Sequence, residues 1–334
     1  MSAAATPRDH GGGLDNAVAR YGGKKSDWLD LSTGINPVPY PIGQIPQDAW
    51  AALPDTTAQS RLIAAARRFW SVPEDADIIA APGASSLIAQ MPNLTDHIGA
   101  YIPTPTYNEH AAAFRVHSKL LSGDDNAAQV HVYVHPNNPD GKLWPAAHMG
   151  GRALTVIDES FCDVTPDASH IDLSSDHGIV VLKSFGKFWG LAGLRLGFAI
   201  AHRSTLYPEY DLRTGLRKTR VSDPSLMDML GPWAVSGPAL EIGSRALNDT
   251  AWAETTRVRL AKDAAHLDAL LASKGVTCVG GTTLFRLYQV DDAAAWQDRL
   301  AQGHVWSRIF PYSNKWLRLG LPAPDRWDQL EAAL

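Results

Sequence analysis

Two cysteines, Cys162 and Cys278, are too few and too far apart in 334 residues to form a disulfide framework, and they point to a reducing compartment. Charge is also sparse. Charged residues make up 19% of the chain and the net charge is −5, which leaves no electrostatic footprint for nucleic acid or an anionic membrane. The one basic cluster, Arg213 to Arg220, reads as a solvated or subunit-facing helix. No apolar run is long enough to cross a bilayer, and residues 1–13 lack the apolar core of a signal peptide, so the cytoplasm is the expected location. Internal repeats, low-complexity tracts, a Walker loop and a Gly-x-Ser-x-Gly elbow are all missing. His131, Tyr133 and His135 alternate onto one face of a strand, but no carboxylate or cysteine stands at ligand spacing, and zinc is not expected.

What remains is an ordinary globular composition. Apolar residues make up 45% of a chain long enough for one large and one small domain. Eleven tryptophans mark cores or subunit contacts. Residues 1–45 are rich in Gly, Pro and polar residues and read as an arm. Residues 46–225 alternate a helical pattern (58–70, 84–91, 106–116) with short apolar runs at 77–81, 99–102, 130–135, 153–158, 178–183 and 195–201. That alternation predicts an α/β fold with a mostly parallel sheet. Residues 226–334 combine a long helical stretch over 238–273, a helix at 293–302 and strands near 276–279, 283–290, 304–310 and 315–321, which predicts a smaller α+β domain.

The densest chemistry lies in Ser184-Phe185-Gly186-Lys187 and the glycine-rich run to Arg195-Leu196-Gly197, between two apolar strands. A lysine amine turns nucleophilic towards carbonyls when it loses its charge, whereas an arginine keeps its charge and forks onto phosphate. Lys187, Ser184 and Arg195 together suit a molecule with a carbonyl to capture and a phosphate to anchor, namely pyridoxal phosphate. Asp158 ends the apolar run Leu154–Ile157, where a carboxylate can keep a pyridine nitrogen protonated. Asn138, in His135-Pro136-Asn137-Asn138-Pro139-Asp140-Gly141, follows another strand and can donate to a phenolate oxygen. Ala84 and Ser85 open a helix after Pro82-Gly83, where backbone N–H groups and a hydroxyl can receive an anion. Tyr107 can stack on a flat ring or fill the core. Taken singly, these residues also fit a strand-ending aspartate, a plain turn and a helix-capping serine.

In order and spacing these motifs resemble the fold-type-I pyridoxal-phosphate enzymes of the class I/II aminotransferase superfamily. Within it, Asp9-His10-Gly11-Gly12-Gly13 and Leu29-Asp30-Leu31-Ser32-Thr33-Gly34-Ile35-Asn36-Pro37 resemble the arm of the threonine-phosphate decarboxylases of cobalamin biosynthesis. The resemblance implies a homodimer and a small phosphorylated amino acid as substrate, decarboxylated on the cofactor with Lys187 and Asp158 as catalytic residues. It places His10 and Asn36 against the substrate and Arg318 on its carboxylate or phosphate. There are departures from the family pattern. His135 and Asp140 differ in the turn, Phe161 replaces a tyrosine, Leu53 replaces a tyrosine that reaches the neighbouring subunit, and Pro322 stands where a second arginine is frequent, leaving Arg308 as its substitute. An aminotransferase of the histidinol-phosphate type would use the same core and break the Cα–H bond instead. A catalytically silent cofactor-binding protein would have no need of Lys187, Asp158, Asn138 and Arg195 together.

Overall fold

The computed structural model describes residues 10–207 and 225–334, so the basic cluster at 213–220 lies outside the described residues. The chain divides into two compact units, Pro39–Val258 and residues up to Val38 with Arg259–Leu334.

The larger unit is built on a seven-stranded sheet. Its spatial order is Ala76–Ala81, Gly197–His202, Ile179–Ser184, Leu154–Asp158, Val130–Val134, Gly99–Tyr101 and Leu120–Ser122. Strands such as Val130–Val134 and Leu154–Asp158 are buried on both faces, which explains why they read as continuous apolar runs. Gly197–His202 alone runs antiparallel to its two neighbours, and the other six strands share one direction. It starts two residues later than its apolar run suggested, because Arg195 takes a left-handed conformation with φ 52°. The edge strand Leu120–Ser122 has no counterpart among the expected strands. Only three residues long, with Leu120 and Leu121 turned to solvent, it gives no periodic signal.

Helices cover this sheet where capping and periodicity agree. Thr56–Phe69 starts at Asp55, whose side chain accepts the Ala58 N–H at 2.7 Å, and it buries Leu62, Ala65 and Ala66. The single helix expected over 238–273 is two helices, Gly237–Asn248 and Thr250–Ser273. Asp249 breaks it by leaving the helical region and accepting the Trp252 N–H at 3.0 Å, so that one acidic residue ends one helix and caps the next.

In the smaller unit, Arg308–Phe310, Ser313–Gly320, Phe285–Gln289 and Thr277–Thr282 form an antiparallel sheet in that order. The strand expected over 304–310 divides at Ser307, whose carbonyl is taken by the Gln297 side chain at 3.0 Å. Its first half, Val305–Trp306, instead pairs in parallel with Leu29–Asp30. Among the described residues no helix is long and apolar enough to cross a membrane.

Candidate active site

The sheet direction decides where the chemistry gathers. The strands ending at Ala81, Val134, Asp158 and Ser184 all finish at one edge of the sheet, and the reversed strand begins there at Gly197. Open α/β sheets hold their ligands along this edge. Ala84, Ser85, Tyr107, Asn138, Asp158, Ser184, Lys187 and Arg195 all line one cavity of about 120 Å³ there. Segments more than 100 residues apart in sequence thus meet because each follows, ends or precedes a neighbouring strand.

Close backbone approach shapes one end of the cavity. Gly197 stands opposite both Ala81 and Ser184, and a Cβ on it would lie 2.4 Å from the Ala84 nitrogen. Gly83, at φ +86°, would place a Cβ 2.7 Å from the Arg195 guanidinium. Only glycine lets the start of the helix Ala84–Gln90 sit against both the sheet and the arginine. The first turn of a helix leaves its N–H groups without intrahelical acceptors, so these donors, the Ser85 hydroxyl and Arg195, all lining one cavity, can together receive an anion.

Asp158 is almost fully buried, 2% exposed, and its hydrogen-bond partners support its charge. One carboxylate oxygen meets His110 Nε2 at 2.8 Å, and the other accepts the Ser160 N–H at 3.0 Å and its hydroxyl at 2.5 Å. Burial pushes the carboxyl up, but the His110 hydrogen bond and charge, reinforced by Ser160, outweigh it and hold Asp158 below the usual carboxylate range. Sequence reasoning missed His110. Its signal was faint, a histidine three residues after Tyr107 on the buried face of Asn108–Val116.

The paired asparagines separate by role. Asn137 is buried and spends its side chain on the turn, donating to the Pro105 carbonyl at 3.0 Å and Asp140 at 2.8 Å while accepting from Thr106 at 2.6 Å. Asn138 lines the cavity. Asp140, a departure from the family turn, also accepts the Lys142 N–H at 3.0 Å, so it holds the turn in its own way. Tyr107 lines the cavity and packs on the core cluster around Leu87 and Phe114. The Lys187 amine lies 5.2 Å from the Phe161 ring centre, where a phenyl offers no hydroxyl.

The ends of the strands Leu154–Asp158 and Ile179–Ser184 carry a buried ion pair absent from the sequence reading. Lys183, one residue before Ser184, meets Glu159, one residue after Asp158, at 2.5 Å. Burial works against the Lys183 charge, but Glu159 and Asp163 hold its ammonium above the usual lysine range. Glu159 also accepts the Ser169 hydroxyl and the His170 N–H, each at 2.6 Å. His135, Glu159 and Cys162 bring possible metal ligands within 4.8 Å of one another. Those atoms have other work, since His135 bonds the Ala168 carbonyl and the Trp144 N–H through its two ring nitrogens and Glu159 neutralises Lys183.

The residues expected to meet substrate belong to the smaller unit. Arg318 is buried in the central strand Ser313–Gly320, with Arg308 directly across from it in the register. Like charges placed opposite each other destabilise a sheet, and the Asp30 charge offsets part of that cost at Arg318. Burial first, and then the Arg308 charge, push Arg318 down to about 9. Its guanidinium donates to the Ser32 carbonyl at 2.6 Å. The Ser32 hydroxyl accepts the Gly12 N–H at 2.7 Å, and a Cβ on Gly11 would lie 2.4 Å from the Ser32 oxygen, so the glycines after His10 seat the arm there. His10 itself is exposed. The buried Asn36 accepts the Val38 N–H at 3.0 Å and Arg259 at 2.5 Å, the latter a residue sequence reasoning did not single out.

The donor set of the larger unit matches pyridoxal phosphate group by group, with an amine for the carbonyl, a charged carboxylate for the ring nitrogen and an anion site for the phosphate. Comparison with known proteins leads to the same chemistry. The family model for aminotransferases of class I and II matches residues 117–333. A threonine-phosphate decarboxylase of Sinorhizobium sp is 38% identical over 340 residues, spanning 96% of this chain and 94% of its own length. Its counterpart from Pseudomonas aeruginosa is 35% identical over 346 residues, spanning 98% and 97%. Among solved structures, the histidinol-phosphate aminotransferase from Sinorhizobium meliloti in complex with pyridoxal-5'-phosphate shares the fold, with a TM-score of 0.76 at 18% identity over 99% of this chain and 94% of that one. With its strand-edge lysine, buried aspartate and glycine-backed arginine, the chain belongs to the class I and II aminotransferase family.

Proposed function

We propose that the chain is a pyridoxal-phosphate-dependent lyase that converts L-threonine O-3-phosphate to (R)-1-amino-2-propanol O-2-phosphate and carbon dioxide, a reaction of cobalamin biosynthesis. The observation that carries this reading is the near full-length identity to two threonine-phosphate decarboxylases, joined to a cavity whose donors fit the cofactor. When bound, the cofactor draws off the electron pair released as the Cα–carboxylate bond breaks. Lys187 holds it in place and returns a proton to Cα. Asp158, kept ionised by His110 and Ser160, holds the proton on the ring nitrogen. Arg195, Ser184, Ser85 and the Ala84 N–H grip the cofactor phosphate, Asn138 donates to its ring oxygen, and Tyr107 packs on its face. Which bond breaks depends on which one stands perpendicular to the ring, so the grip on the substrate selects the reaction.

That grip we assign to His10, Asn36, Arg318 and Arg308. Two arginines opposed across one strand pair suit an oxyanion. Burial and the Arg308 charge both work against the Arg318 cation, and a bound anion offsets that cost. Inorganic phosphate should therefore stabilise the holoenzyme against heat at pH 7. Arg318→Gln should abolish the effect and raise KM about tenfold, the loss of one charge-assisted contact. Equal stabilisation of variant and parent by phosphate would remove Arg318 from the substrate site.

The reading extends to a cytoplasmic homodimer. Trp50 and Leu53, 65% and 67% exposed, are large apolar side chains in the segment where relatives place their cross-subunit tyrosine, and a second copy would cover them. Sedimentation velocity on the holoenzyme decides this, a monomer at micromolar concentration counting against it. The reaction itself is tested by incubating the holoenzyme with threonine phosphate, with and without a 2-oxo acid acceptor. Carbon dioxide and aminopropanol phosphate are expected without the acceptor. Acceptor-dependent turnover with no carbon dioxide would make the chain an aminotransferase.

A further inference from the structure

We propose that Asp163 is a positioning residue for Lys187, anchoring the loop that carries the lysine through the indole of Trp189. This rests on the assignment of Lys187 as the residue that holds the cofactor. Asp163 is 4% exposed and belongs to neither the cavity lining nor the cofactor's donor set. Its two oxygens are divided between two indoles, Oδ1 accepting Trp70 Nε1 at 2.9 Å and Oδ2 accepting Trp189 Nε1 at 3.1 Å. Lys183 Nζ stands 3.8 Å from Oδ1. Burial pushes the Asp163 carboxyl above the usual carboxylate range, outweighing Lys183, Trp70, Arg257 and Trp189, which pull it down. The geometry supports the ionised form. Both oxygens accept N–H donors, and the Lys183 ammonium stands beside Oδ1.

The link to the lysine runs along a short, rigid path. Trp189 lies two residues beyond Lys187, so their Cα atoms are within about 7 Å. Its ring is fully buried and stacks on Phe185 at 5.0 Å and on Trp252 at 5.4 Å, nearly parallel to both. Stacking of this kind fixes the plane of an indole but lets it slide within that plane. A hydrogen bond from Nε1 to a fixed acceptor removes the sliding freedom. The loop backbone closes on the same residues, with the Gly190 N–H on the Lys187 carbonyl at 3.1 Å and the Tyr40 N–H on the Trp189 carbonyl at 2.9 Å. Asp163 is five residues past Asp158, on the segment that also bears Phe161 beside the Lys187 amine. One carboxylate therefore ties the aspartate side of the site to the lysine side from behind.

Asp163 offers an internal control, because Trp70 donates to the same carboxylate but lies outside the lysine loop. Trp189→Phe and Trp70→Phe each remove one indole donor and keep an aromatic ring in place. Two properties are read on purified protein, the rate at which apoprotein captures added pyridoxal phosphate and the pH at which the visible absorbance of the bound cofactor changes. Trp189→Phe is expected to slow capture about tenfold and to move that pH by about one unit, the scale of one hydrogen bond to a charged acceptor. Trp70→Phe should leave both unchanged even where its denaturant midpoint falls as far. Asp163→Asn should follow Trp189→Phe, and if it fails to fold, the two tryptophan variants decide the matter alone. Equal shifts in both tryptophan variants, or none in Trp189→Phe, would reduce Asp163 to a core residue. Lys187→Ala in the same assay separates the premises, since colour surviving in that variant sinks the Lys187 assignment itself.

Discussion

Lys187→Ala should abolish the visible absorbance of the bound cofactor and lower decarboxylation by about 10⁴-fold or more, because two separable roles disappear with one amine. The covalent hold on the cofactor goes first, leaving Arg195, Ser184 and the start of the helix Ala84–Gln90 to retain it by its phosphate alone. The proton that must reach Cα loses its donor as well. Lys187→Arg separates charge from nucleophilicity. It keeps a cation near Phe161 but supplies no amine, so it should be as colourless as the alanine variant. Absorbance spectroscopy on dialysed protein checks both variants, and retained colour in either removes Lys187 from its role.

Asp158→Asn should keep the cofactor bound and coloured while kcat falls by about 10²- to 10³-fold, the usual effect of deleting one preorganised charge at a reacting group. The amide fills the same space but cannot hold the proton on the ring nitrogen. His110→Gln should cost less, about tenfold, because it loosens the carboxylate without removing it. The two effects should not add, since His110 acts only through Asp158. A pH signature follows from the depressed value of Asp158. A carboxyl held below its unfolded value contributes stability that is fully present above the ordinary carboxylate pKa and lost as pH falls through the folded one. Asp158→Asn should therefore flatten the acid limb of the stability curve, and urea titrations between pH 3 and about 6 would read it. An unchanged kcat in the asparagine variant would break the assignment.

Much of the larger unit was legible in its sequence because its strands are buried on both faces and its helices are amphipathic. Ile179–Leu182 and Leu154–Ile157 could pack nowhere but in the middle of a sheet, and the motifs that follow them were bound to lie at strand ends. Boundaries were less legible. The division of 238–273 at Asp249 depends on a side chain accepting the Trp252 N–H, and the division of 304–310 at Ser307 depends on Gln297 taking its carbonyl. Neither choice leaves a mark on hydrophobic periodicity, because a polar residue in mid-helix or mid-strand is as readily a solvated position as a break.

The site shows the same split between what a residue type can do and which neighbours it meets. Lys187, Asp158, Asn138 and Arg195 declare themselves by chemistry and by standing beside strands, both local properties of the chain. His110, Lys183, Glu159 and Asp163 do not. A buried histidine, a lysine inside an apolar strand and two acidic residues after Asp158 read in sequence as solvated or incidental, and only the packing of neighbouring strands and loops sets their charges against one another. Desolvation is the physical reason. An ionised group can stay buried only where an opposite charge or fixed donors meet it, and that pairing is a property of three-dimensional contact that no spacing along the chain records. The sequence by itself therefore determined the cofactor chemistry and the layered α/β frame. The tertiary structure alone decided which groups carry charge and what holds Lys187 in place.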